Sequence, residues 1–375
     1  MEARAIWIVM ALETLVAAAF MLIIPLITRR GLLFGVYVGE QQWGGDEARR
    51  ITRSWYAWMV GALVLSLLLG VVTATSFPGR PGLAVLLVFV FLGGALVCYL
   101  RAYFQARGLA GAVAIPTAAA PLIVDTPASL ALPLVALGFG IVGGAIAIGY
   151  SWLNYPDLPV RVPTHFGPSG APDAWSPKSV RSVMLLPLMT LFMGIVLGVM
   201  ACFTARAKRA IRQQDGGVSI QAQMRFRQAT ARFLSGIVFL VTIMLTLMSI
   251  VSVRTGLGLA SGMPNGLMAI VILMVVYAIG GSIYIALRYG QGGARLERRA
   301  GSAALTDGLA DNERWILGAL YVNRDDPSIF VEKRFGLGYT INLGNPKAVF
   351  FVVLFSVVIA AIIILGVTMP TVRLR

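Results

Sequence analysis

Between Asn154 and Lys178 the chain gathers most of the residue types that could do chemistry: its one histidine, His165, the carboxylates Asp157 and Asp173, six prolines, and the aromatic pair Phe166 and Trp175. An imidazole titrates near neutral pH and, beside carboxylates, can ligate a metal. One histidine and two carboxylates without helical or turn-fixed spacing fall short of a metal-ligand pattern, so neither metal nor cofactor is expected. The structural alternative has the ring hydrogen-bonding backbone groups of a rigid loop, which Phe166 and Trp175 anchor at a membrane interface. Glu13, deep in an apolar stretch, is a second candidate: either a group on a proton or ion path, or a protonated carboxyl bonded to a neighbouring helix. Motifs for catalysis are missing. One histidine excludes H-E-x-x-H, Cys98 and Cys202 are too far apart for C-x-x-C, and there is no G-x-x-x-x-G-K-[ST]. The run Gly167-Pro168-Ser169-Gly170 is one residue short of a G-x-S-x-G elbow. The expectation is a protein that is not an enzyme.

These residues must be positioned by membrane helices. Of 375 residues 58% are hydrophobic and 13% charged, a balance that excludes a single soluble globule. Apolar runs long enough to cross about 30 Å of hydrocarbon lie near residues 5–27, 55–75, 83–100, 130–152, 182–203, 233–252, 267–287 and 348–368. The expected fold class is therefore an all-α polytopic membrane protein of about eight transmembrane helices, with a short rigid extracytoplasmic loop and a small β-containing cytoplasmic module. The net charge of +15 follows topology: with the odd-numbered connections in the cytoplasm, 23 of the 31 Lys and Arg residues lie inside. That choice places both termini outside and leaves no call for nucleic acid; the partner is the lipid bilayer. The uncharged stretch 108–124, with Pro116 and Pro121, would invert the charge balance if it crossed, so it reads as re-entrant or surface-lying.

The chain divides accordingly: 1–129, three helices and the 108–124 segment; 130–203, two helices flanking the loop 154–178; 204–287, a basic connection and two helices; 288–347, a linker and the small module; 348–375, the last helix and tail. Small residues at four-residue spacing (Ala136, Gly140 and Gly144; Gly194, Gly198 and Cys202; Ala278 and Ser282) read as helix-packing seams. The basic connection 204–232 reads as two short helical arms broken at Gly216-Gly217 and anchored to anionic headgroups. Phe34-Gly35 and Phe335-Gly336 do not amount to an internal repeat.

Two segments resemble known modules. Leu158-Pro159, Pro163-Thr164-His165-Phe166, Ser169-Gly170, Pro172-Asp173, Trp175 and Lys178, in this order and spacing, are similar to a short segment of bacterial membrane proteins related to the SdpI immunity family, where it defines a domain of unknown function. Tyr321-Val322-Asn323, Asp325-Asp326-Pro327, Phe330-Val331, Lys333-Arg334-Phe335-Gly336 and Gly338-Tyr339-Thr340-Ile341-Asn342 resemble a second uncharacterised module that accompanies the first. Leu33-Phe34-Gly35-Val36 also fits that group. The chain differs in carrying Gly167-Pro168 after the aromatic residue and in lacking the separate G-I-R-T-P-W-T signature.

The resemblance implies a bacterial plasma-membrane protein linked to immunity or signalling. The outer loop (Pro159, Pro163, His165, Phe166, Gly170, Asp173, Trp175, Lys178) would bind a secreted peptide or another membrane protein. The cytoplasmic module (Tyr321, Asn323, Asp325, Asp326, Pro327, Phe335, Gly336, Gly338, Asn342) would be the inner contact surface. The alternative is a small-solute transporter or channel built around the small-residue seams and Glu13.

Overall fold

A computed structural model describes residues 2–110, 122–123, 129–167, 169–206, 210–211, 216–299, 312–370 and 372–373. Its long helices are α1 (Glu2–Ile27), α2 (Asp46–Ser76), α3 (Val85–Leu109), α4 (Ala131–Leu153), α5 (Val180–Arg206), α6 (Gly216–Gly256), α7 (Asn265–Tyr289) and α8 (Pro346–Val367). Eight helices among the described residues are long and apolar enough to cross a membrane, as the hydropathy pattern predicts. Their surfaces account for the lack of polar alternation: α8 is only 6% buried over its most apolar window, and side chains such as Phe350, Val357 and Ile364 are exposed as lipid requires. The centre of the stretch read as re-entrant, 111–121, lies outside the described residues.

Two compact units are assembled from pieces that are not adjacent in the chain. The first comprises 1–124, 208–223 and 286–345. Here α1, α2 and α3 enclose Trp55, Met59, Phe91 and Tyr103. Two hairpins sit at one end of this bundle. In one, β1 (Leu32–Leu33) pairs with β2 (Val36–Tyr37) through a two-residue turn whose Phe34 and Gly35 both take positive φ, 46° and 84°, as a type I′ turn demands. In the other, β5 (Trp315–Ile316) pairs with β6 (Leu320–Tyr321), with Leu317 and Gly318 at 50° and 66°. The turns abut so closely that a β-carbon on Gly35 would lie 2.6 Å from the Gly318 carbonyl oxygen. The counterpart of Phe34-Gly35 is thus Leu317-Gly318. Phe335 belongs instead to the aromatic cluster that joins the module to the helices, its ring centroid 4.3 Å from Tyr99, 6.0 Å from Trp55 and 6.3 Å from Phe34.

The second unit comprises 125–207, 224–285 and 346–375. Its spine is α4 against α5, where the small residues seen in the sequence let the two backbones touch. A β-carbon on Gly140 would lie 2.7 Å from Gly194 Cα, one on Gly144 2.5 Å from Leu191 Cα, and one on Gly198 2.7 Å from Leu137 Cα. On α7 a β-carbon on Gly281 would lie 2.4 Å from the Phe233 ring, on which Tyr277 is stacked. The basic connection also differs from its reading as two arms: α6 runs unbroken for 41 residues from Gly216, so Gly216-Gly217 opens the helix that becomes the sixth span. Residues 207–209 and 212–215 lie outside the described residues.

If the α4–α5 seam carries the unit, Gly140→Leu overpacks it and costs at least about 1–3 kcal/mol, whereas Gly138→Leu, where a β-carbon meets nothing within 4 Å, leaves stability unchanged. Thermal unfolding in detergent distinguishes the two; equal melting temperatures would remove the seam from the account.

Candidate functional site

The proline-rich segment forms a β-hairpin. β3 (Arg161–Phe166) pairs antiparallel with β4 (Pro172–Pro177), Val162 opposite Ser176 and Pro163 opposite Trp175, with a bulge between Pro163 and His165. β9 (Val372–Arg373) adds to the other side of β4, so the tail of the chain is the third strand. Proline lacks an N–H to donate, and its placement follows: Pro163 lies in the edge strand, Pro172 and Pro177 at the ends of the central one. At the tip, Gly170 has φ 81° and its carbonyl accepts from the Met263 N–H at 2.8 Å, tying the hairpin to the α6–α7 connection.

Lys178 locks the base. Its Nζ donates to the carbonyls of Pro156 at 2.9 Å and Leu158 at 2.8 Å and lies 5.0 Å from the centre of the Tyr155 ring. Leu158 and Val162 pack with Val183, Met184 and Val253, and Ser252 of α6 donates to the Pro163 carbonyl at 3.0 Å. Pro159 belongs to the turns leading into β3.

The structural reading expects the His165 ring to bond loop backbone, but among the described residues its hydrogen bond goes to a side chain instead. Its Nδ1 faces Asp173 Oδ1 at 2.5 Å across the hairpin, both side chains largely in the open. Asp157 is exposed elsewhere on the loop. Among the described residues, no hydroxyl or thiol hydrogen-bonds to His165, and no group of three or more His, Cys, Asp or Glu gathers as a metal would require. Trp175 is half-buried, with its indole N–H enclosed and lacking an acceptor among the described residues.

Beneath the hairpin lies a cavity of about 700 Å³. Its roof is Pro163, His165, Phe166 and Gly170; its walls come from α5, α6, α7 and the segment after α8. Five methionines line it, Met189, Met248, Met263, Met268 and Met369, with Leu186, Pro187 and Val271 deeper among the helices and Ser252 and Asn265 toward the hairpin. Of the loop candidates, Pro163, His165, Phe166 and Gly170 meet this cavity. Asp173 orients His165, and Pro159, Trp175 and Lys178 serve the hairpin's own structure. The methionines carry no linear signature, because they arrive from separate elements and meet only in the folded chain.

Glu13 is elsewhere, exposed on α1 and without a hydrogen-bond or ion-pair partner among the described residues. Two of the hydroxyls that might have continued a polar path bond within their own helices, Thr190 to Leu186 and Ser249 to Leu245, each at 2.9 Å.

The module residues of the first unit are structural in their contacts. Asn342 is fully buried; its amide donates to the carbonyls of Asn323, Asp326 and Ser328 and accepts from the N–H groups of Asn323 and Gly344. Asp326 accepts from the Ser328 N–H at 2.8 Å, closing the turn at Pro327, and the Asp325 N–H donates to Asn323. Burial pushes the Tyr321 phenol up, and the Asp326 carboxylate that accepts its hydrogen bond at 3.1 Å adds to this. Gly336 and Gly338 take φ 83° and 90° in the turn between β7 (Phe330–Glu332) and β8 (Tyr339–Ile341). Sequence reasoning missed Arg29, which is buried at 2% exposure. It donates to the Gly292 carbonyl at 2.8 Å and meets Glu332 at 3.5 Å, holding the first connection to the module.

Residues 142–191 match the profile of a domain of unknown function, DUF1648, and residues 324–349 that of a family of unknown function, DUF5808. The first covers the hairpin with the adjoining turns of α4 and α5; the second covers the module's last two strands and their approach to α8. No curated protein and no solved structure matches the chain.

Replacing Lys178 with Met keeps its length and removes two charge-assisted hydrogen bonds, which costs about 2 kcal/mol or more. Hydrogen exchange across 156–178 is expected to rise by one to two orders of magnitude while the helices stay protected. Unchanged exchange would show that the hairpin does not depend on this lock.

Proposed function

We propose that this multi-span membrane protein, with its two domains of unknown function, is a non-enzymatic immunity or signalling protein of the bacterial plasma membrane. In this reading it captures an apolar segment of a secreted peptide, or of another membrane protein, in the cavity beneath the hairpin. The observation that carries the reading is the cavity's composition: the loop that resembles the SdpI-related segment roofs a mainly apolar space whose lining includes five methionines. Unbranched thioether side chains change rotamer at little cost, so such a wall adapts to differing apolar groups, as surfaces that bind several partners do. Its volume lies within the range that ligand sites occupy. Each leucine-sized side chain that leaves water there contributes about 1.5–3 kcal/mol. His165 and Asp173 at the rim offer a polar contact to a peptide backbone or a cationic group. In this reading, with the odd-numbered connections inside, the hairpin would face the outer medium.

Met268→Trp tests the reading by filling the cavity from a side chain that is already half-exposed. The expected outcome in the native host is normal membrane abundance with loss of resistance to secreted bacterial peptides, as in a deletion strain. Resistance equal to wild type, at equal abundance, would sink the cavity as the binding site.

A further inference from the structure

A smaller cavity, of about 340 Å³, lies in the first unit, between the end of α1 and the start of α2. Ile24, Leu33, Phe34, Trp43 and Phe335 give it apolar walls. Arg49 and Arg53 also line it, one helical turn apart and so on the same face of α2, and no carboxylate is among its described lining residues. The arginines of this turn are not equivalent. Arg50, outside the cavity, pairs with Glu47. Arg49 is held in place, its Nε and Nη2 donating to the Gly44 carbonyl at 3.1 and 2.8 Å, while its ion pair with Asp46, 3.6 Å long and open to solvent on both sides, is too exposed to cancel its charge. Arg53 is exposed and has no hydrogen bond or ion pair among the described residues.

A hollow with apolar walls, two cations and no anion is complementary to an amphiphile with a negative head. We propose that this cavity binds an anionic phospholipid, its phosphodiester held by Arg49 and Arg53 and the first methylenes of its chains against the apolar walls. Guanidinium groups suit this task because their fork of N–H donors meets phosphate oxygens in pairs. Arg49, already pinned by Gly44, loses little freedom on binding. A free phosphate would leave the apolar walls unused, and a zwitterionic head would bring an ammonium group against two cations. The place in the chain agrees with the ligand. Residues 14–28 and 54–79 are free of charge, so the cavity sits where both runs give way to arginines, as they do where a spanning helix meets headgroups. This site belongs to the first unit and the cavity beneath the hairpin to the second, so either can fail without the other.

The test uses the full chain in detergent, titrated with phosphatidylglycerol or with phosphatidylethanolamine of the same acyl chains, the lipids retained being counted by native mass spectrometry. Wild type is expected to retain a first phosphatidylglycerol at concentrations where phosphatidylethanolamine does not bind. Arg53→Gln, at a side chain exposed enough to be changed without harm to the fold, is expected to weaken that first binding about fivefold, the effect of one arginine near an anionic headgroup. Arg50→Gln removes the same charge outside the cavity and is expected to bind as wild type does. Millimolar inorganic phosphate is expected to leave the lipid in place. Equal retention of the two lipids, or an Arg53→Gln chain that binds like wild type, would overturn the proposal. Equal weakening by Arg50→Gln would overturn it by showing a diffuse surface charge in place of a site, and displacement of the lipid by inorganic phosphate would overturn it in favour of the free anion.

Discussion

Inside the hydrocarbon layer no water satisfies a peptide N–H or C=O, so each spanning segment must close its own hydrogen bonds as a helix. Everything irregular in this protein is shaped by that constraint. The hairpin and the module are short, with strands of two to six residues, too little ladder to hold themselves. Side chains take over the work of the ladder: Lys178 gathers two carbonyls at the hairpin base, Asn342 satisfies five backbone groups at the centre of the module, and Arg29 holds the connection between α1 and α2 to the Gly292 carbonyl. Each of these substitutes for secondary structure with a hydrogen-bonding group of the size and charge that the local carbonyls require.

The same constraint explains why the helices touch where they do. Without a hydrophobic driving force between them, close packing must supply the attraction, and it does so only where a side chain is absent. Gly140 against Gly194 brings α4 and α5 together on either side of the hairpin, so the distance between its two ends is set by that backbone contact. Chemistry at the hairpin thus rests on a seam without polar atoms of its own. The Gly35 and Gly318 turns repeat the principle in the first unit, where two hairpins meet backbone to backbone.

The spans and the α4–α5 seam were legible because both leave periodic marks: charge-free runs of sufficient length, and small residues every fourth position. The hairpin was legible as a chemically dense, proline-rich loop, but its strands were not, since β-pairing of Pro163 with Trp175 depends on a bulge that no alternation announces. The pairing of the tail with β4 joins residues nearly two hundred positions apart and rests on backbone alone. The likeness of Phe34-Gly35 to Leu317-Gly318 escapes a residue comparison, because only positive φ, shared by a phenylalanine and a leucine, makes them equivalent. Buried Arg29 looked like one more charge on a basic connection. The methionine wall was hidden for the same reason as the tail strand: its members are strangers in sequence.

The proposed function requires that the cavity beneath the hairpin admit water and ligand from outside. Thiol accessibility tests this most directly, in chains whose Cys98 and Cys202 are changed to Ala. Val271→Cys sits deep in the cavity wall, Asn265→Cys near its roof, and Leu273→Cys on the same helix but outside the cavity and exposed. Applied to intact cells, a membrane-impermeant thiol reagent is predicted to label positions 265 and 271 and to leave 273 untouched. Labelling at 265 alone, with 271 as inert as 273, would contradict the account.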